Sequence, residues 1–250
     1  MKSWVRILLV LWLASFAGRT ATVPVGGRVF DVSARERDLY LEIRDHPNQR
    51  RTQMILDPRL CWAARKHAQD MQQRKFFSHT NPDGVLSNGR VLAEAYPLPS
   101  FYPANQNYVE SLAGAAGGAA ETVELWKNSS AHARHVFGTD SFYQQQVVIG
   151  VGHAPASGLP YDTWVFISAP PPVGEDWSFA APPSYFLRIR NSTVTLEGAK
   201  PQSIFEVWHQ PLLSQDATLT LAVVVGSQGS VSLGPKAGPS DFYRLVYFRP

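Results

Sequence analysis

The sequence predicts an α+β fold in two parts: a layered α/β/α unit over residues 30–170, then a small all-β sandwich over residues 184–250. Three observations predict it. Apolar residues recur at helical spacing after Asp57, and two β-branched runs come late in the same stretch. A dense proline segment, residues 171–183, then separates this helix-first pattern from a purely strand-like one.

Taken in order, residues 1–21 have the form of a secretory leader. Lys2 and Arg6 give a basic start, Ile7 to Ala14 is apolar, and Ala14, Ser15, Ala17, Gly18 and Ala21 are small. The run is shorter than the roughly 20 apolar residues that span a bilayer, and no later stretch approaches that length. A secreted or periplasmic protein without a transmembrane anchor is expected. The whole chain has 23 basic and 20 acidic residues, and loss of Lys2, Arg6 and Arg19 with the leader makes the counts equal. An electrically balanced mature chain gives no reason to expect nucleic acid as a partner, since that affinity is built on excess cationic side chains.

The first helix is expected over about residues 33–48, with Leu39, Leu41 and Ile43 among charges. Asp57 and Pro58 open a second, the aspartate as N-cap and the proline in the first turn, where its missing N–H costs nothing. Leu60, Ala64, Ala68 and Met71 give that helix a buried face up to Lys75. A third helix is expected over residues 119–127 with Val123 and Trp126 inward, and strands over 147–152 and 163–167. Beyond the prolines, six short aromatic and β-branched runs start near Tyr185, Thr193, Ile204, Ala217, Ser230 and Phe242. Alternation along those strands makes most of the aromatic residues there core. The single cysteine, Cys61, excludes an internal disulfide and sits in apolar company as a packed thiol.

Chemistry gathers in the first part. His79 lies in Phe77-Ser78-His79-Thr80-Asn81-Pro82-Asp83-Gly84, His132 in Ser129-Ser130-Ala131-His132, and Glu110 between them. Two imidazoles and a carboxylate are a sensible set for zinc or another divalent metal, leaving one position for water. The competing reading is a hydrogen-bonded network in which Glu110 orients both rings. His135, one helical turn beyond His132, and Asp83 are the additional candidates. His67 is expected to be a partly buried, satisfied residue, and His153 to face solvent. No nucleophile elbow, HExxH helix, phosphate loop or dinucleotide fingerprint occurs.

These landmarks, with Asp57-Pro58-Arg59-Leu60, His67-Ala68-Gln69-Asp70-Met71, Arg90, Trp126, Gly150-Val151-Gly152 and Trp164-Val165, resemble in order and spacing the SCP-like domain of the CAP superfamily, the cysteine-rich secretory, antigen 5 and pathogenesis-related proteins. The match spans about residues 33–170, and the lack of disulfides is similar to the bacterial branch. The resemblance implies a three-layer α/β/α sandwich with an open cleft that binds a divalent metal such as zinc in some members, and it assigns His79, Glu110 and His132 to that cleft. Two departures stand out. A second cleft glutamate is replaced near Ser129, and the Arg and Asn that commonly follow the second histidine are Ala133 and His135. The expected function is an extracellular module whose cleft binds a protein, lipid or glycan ligand. The alternatives are a metal-assisted hydrolase or peptidase, and a non-catalytic envelope interaction protein.

Overall fold

The computed structural model describes residues 27–173 and, beyond them, the backbone of strands 186–190, 193–197, 204–210, 218–224, 231–235 and 242–249. The expected leader and most of the expected proline connector lie outside the described residues. Chain contacts define two units: Ala34–Glu175, and Met1–Ser33 together with Asp176–Pro250. The elements up to Ala169 are β1 (Gly27–Val32), α1 (Ala34–Arg44), β2 (Ile55–Leu56), α2 (Pro58–Arg74), α3 (Ser87–Ala93), β3 (Glu110–Ala115), α4 (Ala119–Lys127), α5 (Ser130–Val136), α6 (Ser141–Gln144), β4 (Val148–Ala154) and β5 (Asp162–Ala169). Among the described residues, no helix is long and apolar enough to cross a membrane.

The unit Ala34–Glu175 is a mixed α+β fold around a four-stranded sheet of order β2-β4-β5-β3. β2 and β4 are parallel, and β5 pairs antiparallel with both β4 and β3. The expected second helix is α2. The Asp57 carboxylate accepts from the Arg59 N–H at 2.8 Å, Pro58 occupies the first turn, and Lys75 closes the helix in the left-handed region at φ 56°.

Helix α2 lies against β4 and β5 through small residues. A Cβ on Gly150 would stand 2.3 Å from the Leu60 carbonyl carbon, and one on Gly152 the same distance from that of Ala64. Helix backbone therefore abuts strand backbone there, which only glycine permits. Strand alternation sends the Thr163 hydroxyl to the Ala68 carbonyl of α2 at 2.9 Å. The opposite face of β5 meets the other helices, with Phe166 against Trp126 of α4 and His135 of α5. The Trp126 indole N–H donates to the Leu112 carbonyl at 2.9 Å and that of Trp164 to Ala115 at 3.3 Å. Both rings are fully buried, so cutting either to alanine removes about 3–5 kcal/mol.

In the other unit the later strands are β6 (Phe186–Arg190), β7 (Thr193–Glu197), β8 (Ile204–Gln210), β9 (Thr218–Val224), β10 (Val231–Pro235) and β11 (Phe242–Arg249). They form two antiparallel sheets, of order β1-β9-β8-β11 and β10-β7-β6. β1 joins this unit through pairing from Gly27↔Val224 to Val32↔Leu219.

Candidate functional site

Three segments of the first unit meet at Glu110. The loop after α2 carries His79, α3 carries Arg90, and β3 begins at Glu110. Helix α3 is short but anchored by polar side chains. Ser87 donates to the Asn107 side-chain oxygen at 2.6 Å, and Asn88 donates to the Pro103 carbonyl at 3.0 Å while accepting from the Tyr108 N–H at 3.1 Å. The same Asn107 oxygen accepts from the Glu110 N–H at 3.0 Å. The start of β3 is thereby fixed to α3, and Arg90 one turn along the helix reaches the Glu110 side chain.

Arg90 binds both carboxylate oxygens of Glu110 through one terminal nitrogen, at 2.9 and 2.7 Å. Its other terminal nitrogen donates to the carbonyls of His79 and Val85 at 2.9 and 2.8 Å, so one guanidinium holds both the carboxylate and the loop. The Glu110 side chain is fully buried and that of Arg90 only 11% exposed. Burial by itself would push the Glu110 carboxyl up. The hydrogen bond from His79 and the charge of Arg90, helped by His67, outweigh it and hold the group below the usual carboxylate range.

An ionised carboxylate only accepts, so the 2.8 Å contact between His79 Nδ1 and Glu110 Oε1 places the ring proton on Nδ1. In the neutral ring Nε2 then carries the lone pair, and it makes no hydrogen bond among the described residues. The His79 side chain is 39% exposed. His67 lies beneath, its Nε2–H donating to the Ser78 carbonyl at 3.0 Å and standing 3.9 Å from Glu110 Oε1. Its buried Nδ1 and the Nε of Arg90 are without partners among the described residues. Burial, with Arg90 nearby, keeps His67 below the ordinary histidine value.

His132 is half-buried on α5. Burial and the neighbouring His79 both oppose its protonation and lower its pKa. His135 has a different setting: it is buried, with Nδ1 2.7 Å from the Ser111 hydroxyl and Nε2 2.9 Å from that of Ser168. Both nitrogens are occupied, leaving none to offer a ligand. Asp83 is exposed in a turn closed by the Asn81 side chain and by Gly84 at φ 78°, and it pairs with Arg74 at 2.8 Å. The structure therefore joins His79 and Glu110 to Arg90 and His67, sets His132 near enough to His79 for the charge of that ring to oppose its own, and gives the nitrogens of His135 and the carboxylate of Asp83 other partners. His153, expected in solvent, bonds Asp162 at 2.9 Å with its ring on Trp164.

For a divalent ion the residues fit in part. The imidazoles of His79 and His132 are borderline nitrogen donors, and a carboxylate behind the first is the usual outer partner of a metal-binding histidine. Glu110 itself is committed to Arg90 and His79. Among the described residues no group of three His, Cys, Asp or Glu side chains is placed to hold a metal. Glu110 is thereby taken out of the three-residue ligand set, which leaves the two imidazoles as the candidate donors.

The model of the cysteine-rich secretory protein family, CAP, matches residues 35–167. None of the curated proteins matches the chain. Among solved structures, an outer surface protein of Borrelia burgdorferi is similar over 58% of this chain and 98% of its own, at 21% identity and a TM-score of 0.43. An extracellular protein containing an SCP domain, from Bacillus anthracis str. Ames, is similar over 50% of this chain and 36% of its own, at 21% identity and a TM-score of 0.37.

Proposed function

The chain belongs to the cysteine-rich secretory protein family, and from that premise we propose that it is an exported, non-catalytic binding module whose α/β/α unit takes an extracellular ligand at His79 and His132. The observation that carries this reading is the clamp on Glu110. Hydrolysis at this site would need a general base within reach of the attacking water. The Glu110 carboxylate is buried, held by Arg90 and hydrogen-bonded to His79 Nδ1, so it orients the ring and does not itself meet water; the role of base would fall to the His79 imidazole, which this reading assigns to the ligand. His79 Nε2 and the His132 ring are left to meet a ligand. A divalent ion held by these two rings would add a positive charge to the cleft and so favour an anionic or carbonyl-bearing ligand. The leader over residues 1–21 accounts for export, and the β unit, expected as a sandwich, serves to tether or target the module.

Zinc titration by calorimetry at neutral pH tests the reading, with His79→Ala and His132→Ala beside the wild type. The expected outcome is saturable binding of one ion, lost in both folded variants. Absence of binding by the wild type removes the cation from the reading. Hydrolysis of ester or peptide substrates that is abolished by Glu110→Gln would overturn the non-catalytic assignment and restore the metal-assisted hydrolase.

A further inference from the structure

On the same helix as His132, His135 belongs to a second, buried polar cluster. Arg51, Ser111, His135, Gln146 and Ser168 are all buried, and their hydrogen bonds can be ordered proton by proton. The Gln146 amide nitrogen donates to the Tyr108 carbonyl at 2.9 Å and to the Tyr102 hydroxyl at 3.0 Å. A carbonyl only accepts, so the amide orientation is fixed and Gln146 Oε1 faces Ser168. Ser168 donates to that oxygen at 2.6 Å. Its single proton is then used, so it accepts from Arg51 at 3.1 Å and from His135 Nε2 at 2.9 Å. His135 therefore carries its proton on Nε2, and Nδ1 accepts from the Ser111 hydroxyl at 2.7 Å.

The chain of donors runs from Ser111 of β3 through His135 of α5 to Ser168 of β5, and on through Gln146 to the Tyr108 carbonyl and the Tyr102 hydroxyl ahead of β3. Every member is satisfied, the condition under which a buried polar network rigidifies a structure. Arg51 adds a second tie to the same helix. Its terminal nitrogens donate to the His135 and Val136 carbonyls at 2.5 and 2.7 Å, closing the last turn of α5, and its Nε donates to the Gln146 carbonyl at 2.8 Å. His132 stands one turn before His135 on this helix of seven residues. Fixing one end of so short a helix to two strands and a guanidinium fixes the other.

We infer that His135 is a positioning residue: bonded through both ring nitrogens to Ser111 of β3 and Ser168 of β5, it sets where α5 presents His132 to the cleft. The inference rests on the reading of His79 and His132 as the binding pair. Burial, then the nearby charges of Arg51 and His132, keep the ring well below the ordinary histidine value, in line with its neutral role in the network.

Nitrogen-15 correlation spectra of the full chain without metal test this directly. The expected spectrum shows His135 with a protonated Nε2 and a bare Nδ1. In Ser111→Ala the ring resonances of His132 should move while those of His79 stay, and Ser111→Thr, which keeps the hydroxyl, should restore them. Zinc affinity, where the wild type binds zinc, should fall roughly 10–100-fold in Ser111→Ala and recover in Ser111→Thr. The opposite tautomer, or a folded Ser111→Ala whose His132 resonances are unmoved, would overturn the inference. The spectra use metal-free protein, so a failed zinc titration counts against the binding reading alone and leaves this test intact.

Discussion

The two histidines proposed as the binding pair are held by opposite kinds of chemistry. His79 is fixed by charge: a buried carboxylate neutralised by Arg90 bonds its ring. His132 is fixed at one remove by a network of hydroxyls, an amide and a neutral imidazole, with the Arg51 cation bonded to carbonyls and to Ser168. A buried ion pair needs both members, because either alone is an uncompensated charge. A neutral network loses one bond at a time. Damage to the His79 side should therefore be abrupt, and damage to the His132 side graded.

The largest effect expected is that of Glu110→Ala. It leaves the Arg90 guanidinium buried without its carboxylate and frees the loop that both residues hold. About 3–5 kcal/mol of stability should be lost, read from denaturant unfolding. Ser111→Ala, which removes one neutral hydroxyl from the other network, should cost about 1–3 kcal/mol. Equal losses would break the comparison.

An intermediate effect is expected from acid, and the two sides should respond in different ranges. His135 has a folded pKa well below its ordinary value of about 6.5. As pH falls below that value the unfolded chain gains a proton that the folded one refuses. Stability should drop by about 1.4 kcal/mol per pH unit for this group until the folded pKa is reached. His67 and His132, also lowered by burial, add to the same slope. Glu110 is depressed, so its contribution is present above the unfolded carboxylate value of about 4.3 and is lost only as pH falls further, through the folded pKa. Unfolding midpoints measured between pH 7 and 5 should therefore decline in the wild type and decline less in His135→Leu. An unchanged slope in that variant would show that His135 is protonated in the fold.

What the sequence disclosed follows the range of the interactions. Helix α2 was legible because its cap, its opening proline and its apolar stripe are all local. α4 was legible through Val123 and Trp126. Strand β3 was not, since Glu110-Ser111-Leu112-Ala113-Gly114-Ala115 has no β-branched residue and is strand through pairing with β5. β1 was missed although it holds Val29 and Val32, because its partner β9 lies 187 to 197 residues further on, from Val32↔Leu219 to Gly27↔Val224. At the site, Arg90 stood out only as a landmark. Its role needs a carboxylate 20 residues on, which spacing cannot reveal. His135 shares a helical face with His132, which suggested a shared ligand. The two serines that take up its nitrogens lie 24 and 33 residues away.

The smallest effect belongs to an exposed ion pair outside both networks. Asp83 bonds Arg74 at 2.8 Å, but the aspartate side chain is 65% exposed, and the arginine also holds Asp70 one turn away. Solvent screens such a pair, and the turn itself is closed by Asn81 and Gly84, not by the Asp83 carboxylate. Asp83→Ala should leave the unfolding midpoint unchanged and zinc binding, if present, as in the wild type. The loop bearing His79 runs through this turn, so the substitution separates two sources of its order. A loss of binding in Asp83→Ala would mean that the exposed pair helps hold the loop. Unaltered binding there, beside its loss in Glu110→Ala, would assign the position of His79 to the buried clamp.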